Sequence, residues 1–309
     1  MVFRLGVILA FSAIAGTGCK GASPQPNRPL IVATTGMIGD AAAIVAGPHF
    51  AVHTLMGPGI DPHQYKATAG DLQQMQAAKL ILYNGLHLEG KMGDVFEQIN
   101  RRTKTVAVTH RLDPNVDLRA APSGSEGAHD PHVWFDVSLW MRAVEAIRDA
   151  LIEIDPAHKA DFEANADRYL KQLADLHAEV KAKVAAVPSD KRVLITAHDA
   201  FHYFGRAYGF DVHGLQGIST ASEPSTRDVQ NLARLIGSRR IPAIFGESSV
   251  PDRNLQAVVD AVATDHGFSV RFLGGQLFSD ALGDAGTPDG TYIGMVRHNI
   301  DVIVGALKP

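Results

Sequence analysis

The sequence predicts an α/β protein of two lobes, each built on a parallel sheet and joined by a single long rigid helix. Three observations carry this expectation. Short β-rich runs alternate with amphipathic helical stretches before residue 110, and the same alternation resumes after Lys191. Between the two halves, apolar residues recur every three or four positions for about seven turns. With 309 residues, the chain is longer than one average domain needs and comfortable for two.

In the first half, strands are expected at 30–34, 51–55, 80–83 and 105–108, with helices at 38–46, 71–78 and 91–100. Strands of four or five largely apolar residues separated by helices read as βαβ units on a parallel sheet. In the second half, the expected strands are 193–196, 212–215, 243–245 and 269–273. Their helices are 200–208, 226–238, 253–265 and a closing 292–307. Between the halves, Asp155-Pro156 reads as an N-cap followed by proline at the first helical position. Phe162, Ala166, Tyr169, Leu173, Leu176, Val180, Val184 and Val187 then mark one apolar stripe, which Pro188 ends. About 30 residues at 1.5 Å each make a rod of about 45 Å, long enough to back both lobes and stiff enough to oppose wide hinge opening. The resulting organisation is a leader at 1–19, a tether at 20–28, a first lobe at 29–155, a linking helix at 156–187 and a second lobe at 188–309.

The leader has its own signature. Arg4 precedes an apolar run at 5–15, too short to span a membrane, and small residues then lead to Cys19. Cys19 is the only cysteine, so no internal disulfide can form. Its position resembles the acylated cysteine of a bacterial lipoprotein, although Gly16 stands where a leucine-type residue is usual. A secreted protein at the outer face of the cell membrane or in the periplasm follows. Apolar residues make up 46% and charged residues 20%, the balance of a globular chain. The net charge of −4 and the absence of a basic stripe exclude a nucleic-acid partner.

Fourteen histidines make any single one uninformative, because a lone histidine is usually a surface or satisfied core residue. The informative ones lie where strands end, since ligands of open α/β sheets bind at carboxyl strand ends. His63 lies in Asp61-Pro62-His63-Gln64-Tyr65, His132 in Asp130-Pro131-His132-Val133-Trp134, His198 directly after a strand and Asp280 after the last one. Two come from each half, as a site between lobes requires. The repeated Asp-Pro-His presents each histidine from a stiff turn. Asp61 and Asp130 can each accept a hydrogen bond from the ring or the local backbone, and so orient a metal-binding imidazole. Glu247, after a strand, is a third such acceptor. His202, four residues after His198, is a rival ligand, and His129 is expected on an exposed loop.

These segments, together with His198-Asp199-Ala200-Phe201-His202-Tyr203-Phe204, Gly246-Glu247-Ser248-Ser249-Val250 and Thr291-Tyr292-Ile293-Gly294-Met295, closely resemble the zinc/manganese-binding substrate-binding proteins of bacterial ABC importers. The resemblance covers almost the whole chain beyond the leader. It implies metal ligands at His63, His132, His198 and Asp280, a rigid helix between the lobes, a monomer, and an ABC permease with its ATPase as partners. Many zinc-favouring members carry a His-rich loop, whereas residues 121–127 here contain no histidine. Members devoted to manganese commonly have Glu where His198 stands. Three imidazoles and one carboxylate suit tetrahedral zinc, and zinc outcompetes manganese at nitrogen/oxygen sites, so zinc is favoured over manganese.

Two other classes use the same ligands. A secreted zinc-dependent hydrolase would need an open coordination position and a general base, for which Glu247 is the available carboxylate. His198-Asp199-Ala200-Phe201-His202 lacks the glutamate of a His-Glu-x-x-His protease. A metal-binding surface adhesin is the other.

Overall fold

The computed structural model describes residues 28–122 and 127–308; Cys19, the leader and nearly all of the tether lie outside them. In the first half, β1 (Leu30–Ala33), α1 (Gly36–Ala46), β2 (Ala51–Thr54), α2 (Ala69–Ala77), β3 (Leu80–Tyr83), α3 (Gly93–Ile99) and β4 (Lys104–Ala107) follow in sequence. The four strands form one parallel sheet in the order β2-β1-β3-β4. After the helical stretch come β5 (Val193–His198), α6 (His202–Tyr208), β6 (Asp211–Gln216), α7 (Thr226–Arg239), β7 (Ala243–Glu247), α8 (Arg253–His266), β8 (Arg271–Leu277) and α9 (Tyr292–Leu307). Their sheet, also parallel, has the order β6-β5-β7-β8. The two halves therefore share one topology, and in each the strand order reverses between its first and third strands.

Two helices lie between the sheets. Helix α4 (Val137–Ile154) starts where the Asp136 carboxylate accepts from the Ser138 amide at 2.9 Å, a side-chain N-cap. Helix α5 (Lys159–Val184) is the anticipated rod, but shorter than 156–187. Pro156–His158 form a 3-10 turn, and Asp155 makes no capping bond; its carboxylate turns instead to His158 Nδ1 at 2.7 Å. The rod's 26 residues span about 39 Å. All eight stripe residues from Phe162 to Val187 are buried, at 3% exposure or less.

That stripe belongs to one continuous apolar core that includes β1, β3, α1 and α4 from one side and Leu194, Phe210, Phe245 and the α9 face from the other. Trp140 of α4 stacks on Tyr292 of α9 at 5.1 Å between centroids. The lobes thus share a core as well as a covalent link. Each sheet's other face has a core of its own, around Met75 and Ile81 in the first and Ile244 and Val258 in the second.

The largest departure from the sequence expectation is β8, which runs to Leu277 rather than ending at 273. Gly274-Gly275, just beyond the expected end, continue the pairing through a register shift opposite Phe245 and Glu247. Gly275 takes φ +57, and a Cβ on Gly246 would fall 2.5 Å from the Gly275 amide nitrogen. The glycines allow β7 and β8 to pass close together, so Asp280 follows the strand by only three residues.

Candidate metal centre

The two Asp-Pro-His segments fold as the same turn. In each, the aspartate accepts a hydrogen bond from the backbone amide two residues on: Asp61 Oδ1 from His63 at 2.9 Å and Asp130 Oδ1 from His132 at 3.0 Å. Their remaining contacts differ. Asp130 Oδ1 also lies 2.8 Å from His132 Nδ1, whereas Asp61 leaves the His63 ring alone and turns Oδ2 toward Gln64 and Thr220. In the second half, His198 is the last residue of β5 and Glu247 the last of β7, the neighbouring strand. Glu247 accepts from the His198 amide at 2.9 Å and meets His198 Nδ1 at 2.6 Å. Carboxylates at Nδ1 make that nitrogen a donor and leave Nε2 as the ring atom turned to the site.

The structure brings His63, His132, His198 and Asp280 together, with one ligand atom from each within 4.8 Å of the others. The Nε2 atoms of His63 and His132 are 3.3 Å apart. Asp280 presents both oxygens, Oδ1 at 3.5 Å from His132 Nε2 and Oδ2 at 3.3 Å from His198 Nε2 and 3.8 Å from His63 Nε2. His63 is 4% exposed and the other three 1% or less. His198 Nε2 and both Asp280 oxygens are buried without hydrogen-bond partners among the described residues. Buried polar atoms normally find partners, so three orphans aimed at one point fit a cation held between them. The donor set of three imidazoles and a carboxylate suits zinc, and the second Asp280 oxygen offers the extra oxygen contact manganese prefers.

The charges agree. Burial disfavours the charged form of His198, but the Glu247 and Asp280 carboxylates outweigh it and hold the imidazolium well above its usual range. Burial also works against the Asp280 carboxylate, yet His198, His132 and His63 hold it well below the carboxylate range. Burial dominates at His63, pushing its imidazole down to about 3 against the pull of Asp280.

The remaining candidates fall outside the cluster. His202 is not among the four, and lies with Nδ1 3.5 Å from Asp130 Oδ2 and Nε2 3.5 Å from Asp199 Oδ1. His129 is half-buried on its loop, more enclosed than the exposed position expected. Several residues that position the site were not singled out by the sequence reading. Trp134 Nε1 donates to the Ser279 carbonyl at 3.0 Å, tying the His132 segment to the one before Asp280. The Tyr203 hydroxyl donates to the Asp130 carbonyl at 2.9 Å and that of Tyr292 to the Trp134 carbonyl at 2.7 Å. The Asn84 amide donates to the Pro131 carbonyl at 3.0 Å. Only Trp134 and the two tyrosines stood inside recognisable segments.

Residues 31–306 match the family described as ZnuA, zinc-uptake complex component A, periplasmic. The chain belongs to this family. It is 49% identical over 306 residues to the zinc-binding protein TroA of Treponema pallidum, covering 99% of this chain and 96% of that one. It is 45% identical to the manganese-binding lipoprotein MntA of Bacillus subtilis, over 98% and 97% of the two chains. The solved structure of the periplasmic zinc-binding protein TroA from T. pallidum superimposes with a TM-score of 0.87 at 50% identity, covering 92% of this chain and all of that one. Relatives of nearly equal similarity thus bear the names of different metals.

Proposed function

We propose that this protein is an extracytoplasmic receptor that captures one divalent ion, zinc ahead of manganese, through His63, His132, His198 and Asp280. It delivers the ion to an ABC permease driven by its ATPase. The observation that carries the reading is the convergence of three buried imidazole Nε2 atoms with both orphaned oxygens of Asp280, drawn from both lobes. We take residues 29–155 and 188–309 as the lobes and 156–187 as their link. Secretion by the leader, anchoring through a lipid on Cys19 and action as a monomer complete the proposal. Equilibration with competing Zn²⁺ and Mn²⁺, followed by elemental analysis, tests the metal. Zinc retained against an equal concentration of manganese is expected; retention of manganese instead would reverse the assignment.

The hydrolase alternative lacks its base. Both Glu247 oxygens are engaged by His198, and the side chain is 2% exposed, facing no open coordination position. Glu247 instead orients His198, and Glu247→Gln should weaken metal binding about 10- to 100-fold.

Binding should also release a proton. His198 holds its proton well above the usual histidine range, and an ion can bind only the deprotonated ring. Near neutral pH, calorimetry in buffers of different ionisation enthalpy should read about one proton released per ion. Affinity then climbs with pH up to the raised His198 value, by about tenfold per pH unit. Glu247→Gln should reduce the release. No release from the wild-type protein at pH 7 would mean that His198 is already neutral.

A further inference from the structure

The four candidate ligands are held very unequally. His132, His198 and Asp280 sit on segments that grip one another across the lobes: Trp134 on Ser279, Tyr203 on Asp130 and Phe135 stacked on Phe201 at 4.2 Å. His63 is different. Its segment leaves β2 through Gly57-Pro58-Gly59, with Gly59 at φ +70, and within its own lobe it is held by the His63 Nε2–His132 Nε2 contact at 3.3 Å and, past it, by Tyr65 donating to Asp71 at 2.7 Å. Between these points, among the described residues, every hydrogen bond from 57–64 to the other lobe ends on Thr220. The Thr220 hydroxyl donates to Asp61 Oδ2, whose other oxygen holds the His63 amide. Gln64 Nε2 donates to Asp61 Oδ2 at 3.0 Å and to the Thr220 carbonyl at 3.4 Å. Thr220 is itself buried, at 6% exposure, while its partners Asp61 and Gln64 are half-buried and exposed.

The outlet lies on the same side. A cavity of about 490 Å³ lies against the site, lined by His63, His129, Pro131, Asp199, Gln216 and Glu223 among others. Of the four candidate ligands, His63 alone lines it.

We propose that Thr220 is a positioning residue for His63, and that the ion enters and leaves through this cavity when the 57–64 segment swings from Thr220. The shared apolar core keeps the lobes together, and the mutual grip of the other three segments keeps their ligands in place. Release is therefore a local step: the Thr220–Asp61 bond parts, His63 withdraws, and the ion is left with three ligands facing the cavity. Thr220 restrains the departure of a bound ion more than the arrival of a new one, because His63 closes after the ion has reached the other three.

The inference rests on the four-residue metal site and is tested by kinetics on the mature protein. Zn²⁺-loaded protein is mixed with a saturating chromogenic chelator to read dissociation, and metal-free protein with Zn²⁺ to read association from tryptophan fluorescence. Thr220→Val keeps the shape and loses the hydroxyl; it should release Zn²⁺ about 10- to 100-fold faster. Association should change by less than about threefold, since most affinity differences within one set of variants lie in the off-rate. Thr220→Ser should restore the wild-type rate, which a purely packing role for the methyl group would not allow. Gln64→Ala, on an exposed residue, provides a smaller acceleration should the valine variant fold poorly. Wild-type release from both Thr220→Val and Gln64→Ala would overturn the inference, as would equal changes in both rate constants. A wild-type protein that binds no Zn²⁺ would instead overturn the metal site itself.

Discussion

Asp280→Asn should weaken Zn²⁺ binding about 100-fold while leaving the fold intact. A four-ligand zinc site binds with about 10–16 kcal/mol, so one ligand accounts for about 3 kcal/mol, which is about two decades in Kd. The substitution is nearly isosteric and replaces a carboxylate whose two oxygens are buried with no hydrogen-bond partner among the described residues. Its cost therefore falls on the ion-bound state. In the metal-free protein, the loss of attraction to His198 is offset by relief from burying a charge, since both side chains are fully enclosed. Competition against a chelator of known affinity reads the first effect, and the melting temperature with the metal stripped reads the second. Wild-type affinity in the variant would remove Asp280 from the ligand set. A collapse of the metal-free melting temperature would recast it as a structural residue.

The second large effect is on stability. Leu176→Ala, at a fully buried position in the second half of the rod, should cost about 2–5 kcal/mol. Leu176 belongs to the core that includes residues of both sheets, so the loss is felt by both lobes together. Denaturation followed by tryptophan fluorescence and by far-ultraviolet circular dichroism should give coincident curves, shifted alike by the substitution. Lys171→Ala, on the exposed face of the same helix, is the control and should stay within about 0.5 kcal/mol. Two resolved transitions would mean that the lobes unfold separately, and the local release step proposed for His63 would lose its rigid frame.

Much of this was legible beforehand because it depends on short-range rules. Strand and helix alternation gave all eight strands within a few residues, except β8, whose expected end falls just before consecutive glycines, and only the neighbouring strand shows that they permit close passage. The rod's stripe was readable from spacing, but its first turn was not, because the Asp155 side chain chose His158 over the backbone. Asp-Pro-His announced a tight turn before His63 and His132, and the same turn forms in both places.

By itself, then, the sequence determined the two-lobed α/β architecture and the rod, and it offered His63, His132, His198 and Asp280 as strand-end candidates that the family resemblance made into a ligand set. Periodicity, proline geometry and strand ends are local properties written in consecutive residues. Tertiary structure alone decided how those four are held: Glu247 on His198 across paired strands, Trp134 on Ser279 across the lobes, and Asp61 on Thr220 instead of on its own histidine ring. Those partners are separated by 49, 145 and 159 positions, and no local rule links residues so far apart. Their pairing follows from which surfaces the shared core presses together. The same packing left His63 as the one ligand with a loose hold and a way out.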